Sequence, residues 1–328
     1  MRRNYGKISV SVALSLLFLV AFTPLYQYPG KAVEMAKRWH EYHVMNEIPQ
    51  DSKEIGMLKD EDDAWYTRYV FICHGGGGLD GVTYTDSLEA WENSYNNGNR
   101  VIDADLRFTS DGHLVLRHEW NDNMEQTGQR LRDSDFIMTR NNDVAIKQRN
   151  YKKNELDYNT FMSTLIMSRY HPMDVESMLI FMKLHPDVYV AADVKEDIVN
   201  VYRCLCDTAK QLNCEDVLAH IIVSVYGADD YQAVKQVFPF ENFVIRQYIN
   251  RPHNYYKLAE FCVENDIHVV NVSAVYMEDE GIKLLTSHGI HVYAAVVDDI
   301  EEMQHYQKLG ASGAVTSFLR ESDRVYFK

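Results

Sequence analysis

The chain has 328 residues, of which 46% are apolar, 25% charged and 12% aromatic, and its formal net charge is -15. That composition buries a substantial core and excludes a disordered chain. The acidic balance excludes a passive nucleic-acid binder, because phosphate backbones are held mainly by clustered Lys and Arg.

Arg2, Arg3 and Lys7 precede an uncharged apolar run over residues 8–26. A run of about 18 to 20 apolar residues spans the hydrocarbon layer, and no small-residue cleavage site directly follows this one. Residues 1–28 are therefore predicted to be an uncleaved, single-pass anchor in the cell membrane, with secretion after signal cleavage as the alternative. The basic flank predicts a cytoplasmic N-terminus and an extracellular domain. Residues 29–64 are polar and charged and read as a stalk; the domain takes up 65–328.

Within that domain, short apolar, β-branched runs lie at 69–74, 101–106, 188–194, 220–225, 243–247, 268–272, 291–296 and 313–316. Helical patterns at 87–96, 175–184, 198–212, 228–237, 255–265, 278–288 and 299–308 separate most of them. The alternation predicts an α/β fold with a parallel sheet and crossover helices. Eight such units predict closure into a (β/α)₈ barrel, which commonly uses about 250 residues; a doubly wound open sheet is the alternative. One interval breaks the rhythm: between the second and third runs lie a short hairpin arm at 113–118 and a polar stretch at 119–155, which reads as a functional loop. Cys73, Cys204, Cys206, Cys214 and Cys262 are odd in number and lack zinc-site spacing, so they read as buried free thiols.

Four segments carry chemistry. The first is Cys73-His74-Gly75-Gly76-Gly77-Gly78, directly after the first strand run. Glycine tolerates positive φ and has no Cβ, so Gly75 and Gly76 suit a turn that offers backbone N–H groups to phosphate; a flexible turn is the plain alternative. A His at the C-terminal end of a barrel strand faces the usual active-site side. The second is Asp103-Ala104-Asp105, whose two carboxylates project to one side of a strand. Adjacent like charges are costly unless a cation or water relieves them, and oxygen pairs suit Mg²⁺ or Ca²⁺; a solvated strand end is the plain alternative. In the third, His118-Glu119, a carboxylate beside an imidazole suits it to general-acid work. In the fourth, Asp193 and Lys195 share one side of an otherwise apolar strand, which makes that strand end a site candidate beside the simpler reading of an ion pair.

In this order the segments resemble the glycerophosphodiester phosphodiesterase family, within the wider group of barrel phosphodiesterases that includes phosphatidylinositol-specific phospholipase C and spider sphingomyelinase D. The family's His-Arg-Gly, Glu-x-Asp, His-Asp and acid-x-Lys elements look like His74-Gly75-Gly76, Asp103-Ala104-Asp105, His118-Glu119 and Asp193-Val194-Lys195. Tyr84-Thr85-Asp86-Ser87 is similar to its Pro-Glu-Asn-Thr helix start, with Ser87 or Asp86 suited to capping, and Gly313-Ala314-Val315-Thr316-Ser317 to its Gly-x-x-Thr-Asp stretch. The resemblance spans residues 69–319. Gly75 stands in place of the family's Arg, Asp103 in place of a Glu and Glu119 in place of an Asp; Ala294 and Ala295 stand where a Trp is frequent.

The resemblance implies a metal-dependent phosphodiester hydrolase. It implies His74 and His118 as the acid–base pair and Asp103, Asp105 and Asp193 as ligands of Ca²⁺ or Mg²⁺; Glu119 beside His118 favours His118 as the acid and His74 as the base. Lys195, Gly75, Gly76 and Glu119 are then the substrate-side contacts. The implied partner is a phosphodiester, whether a small molecule, a lipid headgroup or a glycerol-phosphate polymer, with the membrane bound through the N-terminal helix and no nucleic acid. Two alternatives are a phospholipase-type activity on intact lipids and a non-catalytic, membrane-tethered module that binds a phosphorylated glycan or headgroup.

Overall fold

The computed structural model describes residues 54–120, 155–247, 254–274, 277 and 279–326. The expected anchor at 1–28, most of the expected stalk and most of the long polar stretch, 121–154, lie outside these residues. Among the described residues no helix is long and apolar enough to cross a membrane.

Within the unit Glu54–Asn250 with Lys257–Lys328, the strands are β1 (Phe71–Cys73), β2 (Val101–Phe108), β3 (Leu114–Leu116), β4 (Tyr189–Val194), β5 (Ile221–Val225), β6 (Asn242–Gln247), β7 (Val269–Ser273), β8 (His291–Ala295) and β9 (Gly313–Thr316). Their order is β1-β9-β8-β7-β6-β5-β4-β2-β3, and β1 also pairs with β2. That last pairing, Ile72 opposite Val101, closes eight parallel strands into a ring, so the open-sheet alternative is excluded. β3 stands outside the ring, antiparallel on the far half of β2, with Leu106 opposite Leu116 and Phe108 opposite Leu114; it is the hairpin arm expected from the sequence.

The helices are α1 (Trp65–Arg68), α2 (Leu88–Asn96), α3 (Tyr158–Ser163), α4 (Val175–Leu184), α5 (Ile198–Gln211), α6 (Ala228–Lys235), α7 (Tyr255–Glu264), α8 (Asp279–Ser287) and α9 (Ile300–Lys308). Several start on a side-chain cap, which satisfies N–H groups that the first turn leaves open. Ser87 accepts from Ala90 N, Asp174 from Ser177 N, Asp197 from Asn200 N, and Asp299 from Glu301 N and Glu302 N.

One apolar layer fills the ring. Ile72, Val101, Ala191, Ile222, Val244, Val269, Tyr293 and Val315, one residue from each of the eight parallel strands, pack together with Trp65 and Tyr66 of α1. Their common contact sets the inward parity of every strand, because strand side chains alternate between faces. Part of the expected stalk belongs to this unit as well. Leu58 is buried, its N–H donates to His288 O at 2.9 Å, and the His288 Nδ1 lies 2.8 Å from Gly56 O. An apolar side chain with a paired backbone is what a free stalk would lack. All five cysteines are free thiols.

Candidate active site

Two residues beyond the apolar layer, the same parity brings a second layer inward: Asp103 on β2, Asp193 on β4, Ser224 on β5, Arg246 on β6 and Asn271 on β7. All five are buried. One further step along β2 and β4 adds Asp105 and Lys195. Polar residues at this level lie toward the C-terminal ends of the strands, the end at which barrel active sites are built.

The acids of this layer are bridged by two cations. Lys195 Nζ lies 2.6 Å from Asp193 Oδ2 and 2.9 Å from Asp105 Oδ1. Arg246 pairs with Asp103 through both guanidinium nitrogens, reaches Asp193 Oδ2 at 3.4 Å and donates from Nε to Ser224 Oγ at 2.9 Å. The Tyr226 hydroxyl donates to Asp193 Oδ1. Burial pushes the Asp103 carboxyl up, to about 7, against the pull of Arg246. Burial also disfavours the Asp105 and Asp193 carboxylates. There the cations more than offset it, Lys195 at Asp105 and Arg246 with Lys195 at Asp193, so both stay below the usual carboxylate range.

Both histidines contact one aromatic ring. Tyr84 makes edge contacts with His74, 4.3 Å between centroids, and with His118, 5.5 Å between centroids. The expectation that His74 ends the first strand needs one correction: β1 stops at Cys73, and His74–Gly76 forms a 3₁₀ turn. Gly75 and Gly76 take φ of 52° and 83°. At Gly76 a Cβ would also come within 2.9 Å of Trp91 Cδ1. Burial lowers the His74 pKa to about 3, outweighing the nearby Asp105 charge, so the ring is neutral near pH 7. Its Nδ1 is buried with no hydrogen-bond partner among the described residues. His118 lies two residues past the end of β3, and its Nδ1 lies 3.7 Å from Glu119 Oε1.

The glycine turn spends part of its donor capacity on the fold. Gly77 N donates to His74 O at 3.0 Å and Gly78 N to Ser317 O at 2.6 Å, so these two amides are committed within the protein. Beside the turn, Asp298 Oδ1 accepts from Thr316 Oγ1 and from Ser317 N, which fixes the chain where it leaves β9.

The sequence offers Asp86 only as a possible cap and does not single out Tyr226 or Arg246. Ser87 is the cap; Asp86 is fully buried and its Oδ1 accepts from Asp105 N at 3.4 Å. Burial, with Asp105 and Asp103 adding to it, pushes the Asp86 carboxyl well above the usual range. Arg246 did carry a signal, a charge at the inward position of the apolar run Phe243-Val244-Ile245.

By chemistry the donor set suits a divalent cation, although Lys195 and Arg246 stand between its carboxylates, whose oxygens do not all lie within 4.8 Å of one another. Asp103, Asp105 and Asp193 offer hard oxygen ligands, and Asp105 Oδ2 is buried without a hydrogen-bond partner among the described residues. With Asp86, four buried carboxyl groups face two cationic side chains. A separate group, Glu61, Asp266 and His268, has ligand atoms within 4.8 Å of one another; it lies at the strands' amino ends, and Glu61 and Asp266 are exposed.

The glycerophosphoryl diester phosphodiesterase family matches residues 78–321, a span that begins four residues after His74 and takes in the other site residues named from the sequence beyond the glycine turn. Among solved structures, the chain is similar to a glycerophosphodiester phosphodiesterase from Parabacteroides distasonis, at 13% identity over 79% of this chain and 96% of that one, with a TM-score of 0.57. It is also similar to an Oleispira antarctica phosphodiesterase in complex with the product sn-glycerol-3-phosphate, at 10% identity, 80% and 98% coverage and a TM-score of 0.58. A Thermotoga maritima glycerophosphodiester phosphodiesterase shares 14% identity over 76% and 94%, with a TM-score of 0.52. At these identities the likeness is one of fold. No curated protein compared matches the chain.

Proposed function

This chain belongs to the glycerophosphoryl diester phosphodiesterase family and is a phosphoric diester hydrolase, and we propose that it cleaves glycerophosphodiesters with His74 as base and His118 as acid. The observation that carries this reading is the pair of imidazoles that both contact Tyr84, above a buried layer of acids and cations at the strands' C-terminal ends. In this reading His74 accepts the proton of the attacking hydroxyl as its oxygen bonds to phosphorus. His118 gives a proton to the departing alcohol oxygen as the second P–O bond breaks. Glu119, 3.7 Å away, orients the His118 ring.

Asp103, Asp105 and Asp193 are the residues that would hold a Ca²⁺ or Mg²⁺ ion, and such an ion, when bound, supplies positive charge against a non-bridging phosphoryl oxygen. Lys195 adds a second positive contact and balances Asp105 and Asp193. Gly75 and Gly76 form the wall beside the phosphoryl group. We further read residues 1–28 as an anchor that displays the domain outside the membrane, on the strength of Arg2, Arg3, Lys7 and the apolar run after them.

The test is an assay of the purified full chain on small glycerophosphodiesters, a glycerol-phosphate polymer and intact phospholipid, first with EDTA and then with Ca²⁺ or Mg²⁺ restored. The expected result is hydrolysis of small glycerophosphodiesters that is lost to chelation and regained with one of the ions. No hydrolysis of any diester sinks the proposal, and activity indifferent to EDTA removes the metal from it.

A further inference from the structure

Asn271 stands apart from its neighbours in the inward polar layer. Arg246 satisfies Asp103 and Ser224, and Lys195 satisfies Asp193. Asn271 is 3% exposed, yet neither the oxygen nor the nitrogen of its carboxamide has a hydrogen-bond partner among the described residues. A buried amide with both ends unmet is costly, and native chains rarely keep one without a ligand or a water for it.

Its direction follows from the strand. Val269, two residues earlier, belongs to the apolar layer inside the ring, so Asn271 also points inward. Its register partner across the β6–β7 ladder is Arg246, whose guanidinium contacts Asp103 and Asp193. The carboxamide therefore faces the same interior as the acids of the site.

The chemistry of the group narrows what it meets. A carboxamide offers two donors and an acceptor, whereas a phosphoryl oxygen only accepts and would leave the Asn271 oxygen unmet. A hydroxyl accepts from the nitrogen side and donates to the oxygen side of such groups. We infer that Asn271 binds a hydroxyl of the substrate's glycerol moiety and so selects a polyol phosphodiester over a simple alkyl one. This rests on the function proposed above.

The test compares the wild-type chain with Asn271→Leu and Asn271→Ala by calorimetric titration with glycerol 3-phosphate and with propyl phosphate, which lacks the hydroxyls. For glycerol 3-phosphate the variants are expected to bind at least about tenfold more weakly, the scale of one lost buried hydrogen bond. Propyl phosphate is expected to change by less than about twofold. The Tm of Asn271→Leu should hold or rise, because an unmet polar group has left the core; if that variant does not fold, Asn271→Ala carries the comparison. Equal weakening for both ligands, or none for either because a trapped water satisfies the amide, overturns the inference. Wild-type hydrolysis of glycerophosphodiesters with unchanged variants defeats the role of Asn271 alone. A wild type that neither hydrolyses them nor binds glycerol 3-phosphate defeats the proposed function and this inference with it.

Discussion

Arg246 and Asp103 are paired across the barrel interior although their strands are not neighbours, since β4 and β5 stand between β2 and β6 in the sheet. Both side chains are buried. Removing one partner of such a pair leaves an uncompensated charge, which typically costs about 3 to 5 kcal/mol. Arg246→Met should therefore lose roughly that much stability in urea unfolding. A loss below about 1 kcal/mol would show that Asp103 does not depend on the guanidinium for its burial.

Positioned general acids and bases contribute about 10² to 10⁴-fold each. His74→Asn and His118→Asn should each lower kcat on a glycerophosphodiester by that order while folding normally. The check is steady-state kinetics beside circular dichroism melts, and near-normal turnover in both variants would remove the histidines from the reaction.

The pH dependence of stability follows from the lowered His74 pKa, about 3 in the folded protein. Between the unfolded value, about 6.5, and that folded value, the unfolded chain takes up a proton that the native site refuses. This contribution is fully present above about pH 6.5 and declines as pH falls toward 3, by at most about 1.4 kcal/mol per pH unit. His74 keeps some solvent contact, which reduces the slope. Wild-type and His74→Asn proteins unfolded in urea at pH 7 and pH 5 should differ, with the variant losing less stability on acidification. Parallel losses would refute the assignment.

Gly76→Ala meets two obstacles, a φ of 83° and a Cβ that would approach Trp91 Cδ1 to 2.9 Å. The expected outcome is a loss of about 2 kcal/mol or more, together with reduced turnover as the His74 turn shifts. Chemical denaturation and kinetics measure both, and a variant indistinguishable from wild type would mean that the turn can relax freely.

Asp103, Asp105, Asp193 and Lys195 were legible before the fold because each pair sits two apart in an apolar strand, and that spacing has one structural meaning. The ring of eight parallel strands was legible for a similar reason, from the regular return of β-branched runs. Arg246 was harder: it is single in its strand, and the carboxylate that explains it lies 143 positions away in the chain. Asp86 was obscured by chemistry that serves two purposes, since a polar residue before a helix suits capping as well as burial beside Asp105. The turn at His74 could not be told from a strand end, because it depends on positive φ at Gly75 and Gly76, a property that glycine permits without requiring.

The seam of the barrel also bears on how the protein is made. β1 is completed on one side only by β9, with Cys73 opposite Thr316. At typical synthesis rates of about 5 to 20 residues per second, the 243 residues after Cys73 up to and including Thr316 (316 minus 73) take roughly 12 to 49 seconds to emerge. Throughout that time the strand that leads into His74 has one unpaired edge. The ring therefore closes only once β9 has emerged, and pairing so distant in sequence is intrinsically slow. The nascent chain is thus most exposed to mispairing and to chaperone capture at the seam that later positions His74.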